Sequence, residues 1–484
     1  MAAGAAGGSR GGRKFGTASR LWCAVAAQGW WTGRMRSGCL ALVVCAGLVT
    51  AACAGQARPT AGPATPGPAS TRAGAAQSWA NLVVLPGEGG GVFATPRRLK
   101  VPQGWTARLW ARVAGARMEA WTPGGELLVS VPGSGRVVEL TPRSRGSAVP
   151  RILLSGLTLP QGLAFARLGG RWVLYVGESN QIDRYPWGAG GISGARTVLA
   201  ARLPDLAPAG DDDHRMKDVA VAPGGTVYFI VGSASNATPG DRTSSPPRAV
   251  IMAVHPDGRD LRVVETGVRN GEGLAVAPDG SVWTAVNERD NITYPFHTPY
   301  AGHADAFGQV IQAYVNEHPP DEVARVTAGR DLGWPYCNPD QDHNHPAGSL
   351  AGVPFVADAV TNPDGIHLDC AALPQVEAGL PAHSAPLGMS FLEGSTIPPP
   401  WSGGAVVAVH GSWDRQPPRS PAVLWLAWDA AKHTLEPAVT LVTGFQNADG
   451  SRWGRPVDAV PGPDGALYIS DDTAGAIYRL MPPK

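Results

Sequence analysis

Charged side chains are scarce in this chain: they make up 16% of its 484 residues, and the formal net charge is +1. No extended field of one sign can form on such a surface, so the electrostatic basis of nucleic-acid binding is missing. Metal-binding signatures are missing as well. There is no C-x-x-C pair, no His/Cys zinc spacing, no C-x-x-C-H haem attachment site and no EF-hand loop. Of the six cysteines, only Cys337 and Cys370 lie beyond residue 53. The apolar run Cys39–Val49 is too short to span a bilayer comfortably.

Glycine and proline are abundant, at 63 and 45 residues, and are spread between apolar runs. That distribution marks many tight turns and short strands, hence an all-β chain. A hydrophobic content of 44% is enough for a sizeable core, and the 16 tryptophans are expected to pack blades or line a cleft.

The N-terminus has the layout of a sorting signal. Met35-Arg36 opens a basic segment, Cys39–Val49 is apolar, and Thr50-Ala51-Ala52-Cys53 places small residues before a cysteine. This resembles a bacterial lipobox with Cys53 as the acylated residue; an ordinary signal peptide cleaved nearby is the alternative. Residues 1–34 fit no signal well, and either a start at Met35 or a disordered extension is expected. Residues 54–78 are low-complexity Ala/Pro/Gly/Thr and read as a tether. Residues 1–53 are thus a leader, 54–78 a linker and 79–484 the folded body of an exported, cell-envelope protein that meets the membrane only through its lipid. For two body cysteines in an exported chain, one disulfide is expected, with a pair of buried thiols as the alternative.

One unit recurs through the body: an apolar stretch, a Pro/Asp/Gly turn and a strand ending in a polar patch. It begins near residues 118, 162, 218, 273, 388 and 458. Each copy reads as two strands around a turn whose glycine supplies positive φ. Blades of about 40–50 residues give a six-bladed β-propeller. The long interval from 273 to 388 implies an insertion, and one blade is expected to be closed jointly by residues near Leu82 and the C-terminus.

Polar residues gather at the predicted strand ends. They are Asp211-Asp212-Asp213-His214 and Arg269-Asn270-Gly271-Glu272 before strands, and Asn287-Glu288-Arg289-Asp290 after one. Pro320-Asp321-Glu322, Gly333-Trp334-Pro335, His410-Gly411-Ser412-Trp413 and Gly454-Arg455-Pro456-Val457-Asp458 follow. Taken in this order, over roughly residues 100–482, the set resembles the glucose/sorbosone dehydrogenase family, the soluble sugar dehydrogenases that use pyrroloquinoline quinone (PQQ). NERD, PDEV, GWPYC and GRPVD together are most similar to its sorbosone-dehydrogenase branch.

The resemblance implies a PQQ cofactor, a tricarboxylate suited to guanidinium groups. Arg269 and Asn270 would touch the quinone and Arg455 a carboxylate, with Arg415 and Arg117 as further candidates. His214 is the candidate general base. Its three aspartate neighbours would raise its pKa. Ser233 stands where an acidic partner is found in glucose dehydrogenases. Ca2+ is the implied metal, with Glu288, Asp290, Asp321 and Glu322 offering carboxylates. His383, His410 and Trp413 would face the substrate funnel. Cys337 and Cys370 would bridge the insertion, as in the sorbosone branch. The implied substrate is a sugar, an aldose or a sorbosone-like aldehyde, and electrons would leave to a separate acceptor. Two other readings stay open: a metal-dependent propeller lactonase of the gluconolactonase type, and a non-catalytic binding propeller.

Overall fold

A computed structural model describes residues 76–144, 146–206, 214–344, 346 and 348–483. The leader, Cys53, most of the linker and Asp211–Asp213 lie outside the described residues. The first strand, Gln77–Val83, begins two residues before the expected body.

Six sheets of the described chain are arranged as blades, antiparallel except for one parallel pair at the outer side of blade six. Their inner strands are Glu119–Trp121, Leu163–Leu168, Val219–Val221, Gly273–Val276, Pro386–Phe391 and Pro456–Pro461, which define blades one to six. These coincide with the six repeat starts read from the sequence. The inner strands line one central channel of about 570 Å3. Blade six is completed from both ends of the chain. Thr106–Arg112 pairs antiparallel with Ala476–Met481, with Thr106 opposite Met481. Leu82 lies one strand further out, parallel to the closing strand and opposite Ala107. Pairing the first part of the chain with the last removes two sheet edges at once.

Inner strands converge, so their side chains must be small or their backbones bare. A Cβ at Gly162 would lie 2.5 Å from Val219 N, and one at Gly273 would lie 2.5 Å from Leu387 O in the next blade. Only glycine fits these seams. Backbone N–H groups at the seams are satisfied by buried aspartates. Asp218 accepts from Leu274 N at 2.8 Å across the third seam, and Asp458 accepts from Glu119 N at 2.9 Å across the closing one. Aromatic rings fill the spaces between blades. Trp110 and Trp121 each meet Tyr468 edge-on, at 4.8 and 4.9 Å.

The insertion belongs to blade four, on either side of its third strand, Asp321–Arg325. A disulfide joins Cys337 to Cys370 within it, closing a separation of 33 residues. By the loop-closure argument a loop of that size contributes roughly 3–4 kcal/mol. Replacing both cysteines by serine is therefore expected to lower the unfolding free energy in urea by about that amount; a loss under about 1 kcal/mol would show that the insertion is held by packing alone.

Candidate functional site

Every inner strand starts at the same end of the channel, and every second strand returns to that end. Residues just before the first and just after the second are therefore brought together. Arg117, Gln161, His214, Glu272, His383 and Arg455 precede inner strands, while Ser233, Asp290, His410 and Asp472 follow second strands.

Arg117 is the hub. Its guanidinium meets Glu272 at 2.7 Å, Asp472 at 3.2 Å and the Gln161 side-chain oxygen at 2.8 Å. Gln161 donates in turn to Glu272 at 2.9 Å, and Asn270 donates to the other Glu272 oxygen at 3.3 Å. His410 Nε2 donates to Asp472 at 3.0 Å. Burial would raise the Asp472 pKa, but the His410 hydrogen bond and the Arg117 charge outweigh it and bring it to about 2. Burial keeps the His410 pKa below its ordinary value, so at neutral pH it is an uncharged donor.

His214 rests on the bare backbone of Gly232, where a Cβ would come within 2.6 Å of the histidine Cβ and 3.3 Å of Asn270 Oδ1. Its Nδ1 is 2.9 Å from Ser233 Oγ, whose own proton goes to Ser235 O at 2.7 Å. Ser233 must then accept from Nδ1–H, which leaves Nε2 as the basic nitrogen. Burial, followed by the charge of Arg269, lowers the His214 pKa well below its ordinary value. The sequence led us to expect the opposite shift, from aspartates that lie outside the described residues. Ser233 replaces an acidic partner with a neutral one, so it orients the ring without holding it charged.

Arg455 donates to His410 O at 2.8 Å and Gly411 O at 3.2 Å, and Arg452 donates to Ser412 O. Neither makes an ion pair among the described residues. Burial and the nearby Arg452 charge both work against the Arg455 charge. Two neighbouring cations held by backbone carbonyls and the Gln446 side-chain oxygen, with no carboxylate at ion-pair distance among the described residues, have the chemistry to meet an anion. Arg269 is different, since it is spent on Asn236 and Asn287 and lies 3.4 Å from Asp290.

Three expectations about this end of the molecule are corrected. Arg415 is bound to Glu317 at 2.7 Å and to Asn316 O at 3.0 Å, so it straps the insertion to blade five instead of facing a ligand. The four carboxylates expected to share Ca2+ do not converge. Asp321 uses its two oxygens on Glu288 N and Ala385 N, at 2.8 and 3.0 Å, as another interblade staple. Glu322, its neighbour on the strand, buries both oxygens without a hydrogen-bond partner, and burial raises its pKa strongly. Glu288 is pushed up to about 8 by burial, with the Asp321 charge adding to it. Asp290 instead lies with His383 and Asp414. The third correction is that His383 is buried, so it does not face the funnel, whereas Trp413 is 69% exposed at its lip.

The family profile described as TrAA12-like matches residues 99–482. The chain belongs to the TrAA12-like family. Among curated relatives, an uncharacterized protein of Borreliella burgdorferi is 28% identical over 239 residues, 49% of this chain and 53% of that protein. A pyrroloquinoline quinone-dependent pyranose dehydrogenase of Coprinopsis cinerea is 33% identical over 121 residues, 21% of this chain and 15% of that enzyme. The chain thus matches about half the length of the first relative and far less of the second. The fold is shared with the PQQ domain of the Coprinopsis cinerea pyranose dehydrogenase in its holo form, with a TM-score of 0.63 at 20% identity, covering 82% of this chain and 100% of that one. The calcium structure of the Trichoderma reesei AA12 enzyme gives 0.62 at 19%, covering 79% and 96%. These likenesses show a shared fold.

Sequence reasoning gave no role to Glu272, although it lies in a quoted cluster, and missed Gln161, Asp472 and Arg452. Gln161-Gly162-Leu163-Ala164 and Glu272-Gly273-Leu274-Ala275 occupy the same place in the repeat, so aligning the copies would have marked the first two. The Asp472 carboxylate gives a pH signature. Its folded pKa lies below the ordinary carboxylate value, so the stability it supplies is present above about pH 4 and lost as pH falls toward 2. Asp472→Asn is expected to cost about 2 kcal/mol at pH 7 and nothing near pH 2. Equal losses at both pH values in chemical denaturation would contradict the assignment.

Proposed function

We propose that this protein is a PQQ-dependent dehydrogenase that oxidises a sugar, an aldose or a related aldehyde sugar. The observation that carries the reading is the Arg452–Arg455 pair, two half-buried cations that make no ion pair among the described residues, at the same channel end as His214, whose pKa burial lowers. A tricarboxylate cofactor matches that excess charge. The buried Asn270 Oδ1, which has no hydrogen-bond partner, adds a polar group for a ligand to meet.

When bound, the quinone supplies a carbonyl that accepts hydride. The protein does the rest. Arg455 and Arg452 orient the cofactor by its carboxylates. His214 Nε2 takes the proton of the sugar hydroxyl as the C–H bond yields its electron pair, and Ser233 holds the ring in the required tautomer. The Arg117 cluster fixes Gln161, Glu272 and Asn270 on the floor of the site. No step is assigned to Ca2+, because the acids expected to hold it are apart. A separate acceptor would take the electrons from the reduced cofactor. The basic, apolar and Thr50–Cys53 segments support export and anchoring by lipid.

The test uses the full-length protein with PQQ, aldoses and an artificial electron acceptor. Dye reduction is expected, with kcat lowered by roughly 10^2–10^4 in His214→Ala. Its acid limb should lie below pH 6.5, since the imidazole must stay unprotonated and its pKa is lowered. Arg455→Met should weaken quinone binding by at least about tenfold. Lactone hydrolysis without quinone would favour the lactonase reading, and absence of quinone binding would favour a binding propeller.

A further inference from the structure

Beside the guanidinium groups, the same end of the propeller holds a second cluster with ligand chemistry. Asp290 follows the second strand of blade four, Asp414 follows that of blade five, and His383 precedes the inner strand of blade five. One donor atom from each lies within 4.8 Å of the other two, and no other such group occurs among the described residues.

Two features show that this trio is built around something. The first is the histidine tautomer. His383 Nε2 faces two carbonyl oxygens, Val315 O at 2.5 Å and His318 O at 2.9 Å, so it carries the proton. In the neutral ring Nδ1 is then a lone pair, and it points at Asp414 Oδ1, 3.4 Å away. A lone pair and a carboxylate oxygen repel unless a positive charge lies between them. The second feature is Asp414 itself. Its side chain is 1% exposed, and its Oδ1 has no hydrogen-bond partner. The other oxygen accepts from Asn291 N at 3.2 Å. A buried carboxylate oxygen left in this way is costly.

The spacing suits an ion. The 3.4 Å gap exceeds the roughly 2.7–2.9 Å of a charged hydrogen bond. It equals the roughly 3.4 Å edge between two ligands of a tetrahedral ion with bonds of about 2.1 Å. Asp290 gives one oxygen to Arg269 at 3.4 Å, with the Trp413 side chain close by. Its side chain is 24% exposed, which leaves an entry path from solvent.

We propose that Asp290, His383 and Asp414 bind a divalent transition-metal ion of the zinc or manganese class. A nitrogen donor among three ligands disfavours calcium, which takes oxygen shells. The ion would tie the blade-four insertion to blade five, because His383 is held by the insertion's own carbonyls. It would also fix Arg269 through Asp290. The site uses neither His214 nor Arg452 nor Arg455, so it is independent of the quinone reading.

The experiment is metal titration of the chelator-treated, quinone-free full-length protein, with Zn2+ by calorimetry and Co2+ by visible absorption. We expect one equivalent of each, a Co2+ spectrum of low coordination number, and displacement by Zn2+ but not by equimolar Ca2+. Asp414→Asn and His383→Gln should each raise the Kd at least about tenfold. Asp290→Asn, at the open edge, should do the same while circular dichroism and melting temperature stay close to those of the parent protein. Absence of stoichiometric uptake, unchanged affinity in Asp290→Asn, or displacement by Ca2+ would each overturn the proposal. With no quinone in the assay, these outcomes leave the dehydrogenase reading untouched.

Discussion

Radial closure is the constraint from which the rest of this structure follows. Once Thr106–Arg112 pairs with Ala476–Met481, six inner strands must meet around one channel, all starting at the same end. Crowding there admits glycine and small side chains and leaves seam N–H groups in need of acceptors. Buried aspartates meet that need, and burial raises their pKa, to about 7 for Asp458 and about 6 for Asp321. The same convergence that forces bare backbone at the seams delivers polar side chains from separate blades into one small volume.

Within that volume, compensated and uncompensated charge have different meanings. Arg117 is matched by Glu272 and Asp472, a self-contained network that fixes geometry. Arg415 is matched by Glu317 and acts as a strap. Arg452 and Arg455, both half-buried, make no ion pair among the described residues, and the charges of Asp472 and Asp471 offset the burial of Arg455 only in part, which leaves room for an anion from outside. Counting arginines near a funnel therefore says less than asking which of them already has a carboxylate.

The fold was readable because each inner strand carries the same local pattern of small apolar residues followed by a glycine turn, and that pattern survives the long insertion. That Arg269, Asn270, His214 and Arg455 lie at one channel end was readable because each stands beside an end of a predicted strand. Their partners were not. Glu272 and Asp472 are far apart in sequence and meet only through Arg117, so no short window reveals the contact. Adjacent residues also misled: Asp321 and Glu322 sit side by side on one strand, and strand geometry sends successive side chains to opposite faces. Asp414 hides beside the more conspicuous Trp413 and acquires meaning only when blade five places it against His383.

The central claim is that an external anion completes the channel end where Arg452 and Arg455 lie. The most direct measurement is a crystal structure of the full-length protein soaked with pyrroloquinoline quinone. The account predicts electron density at the mouth of the central channel, with carboxylate oxygens on both guanidinium groups and the quinone ring within reach of His214 Nε2. Density elsewhere on the molecule, or an Arg452–Arg455 pair left without a bound carboxylate at saturating quinone, would contradict it.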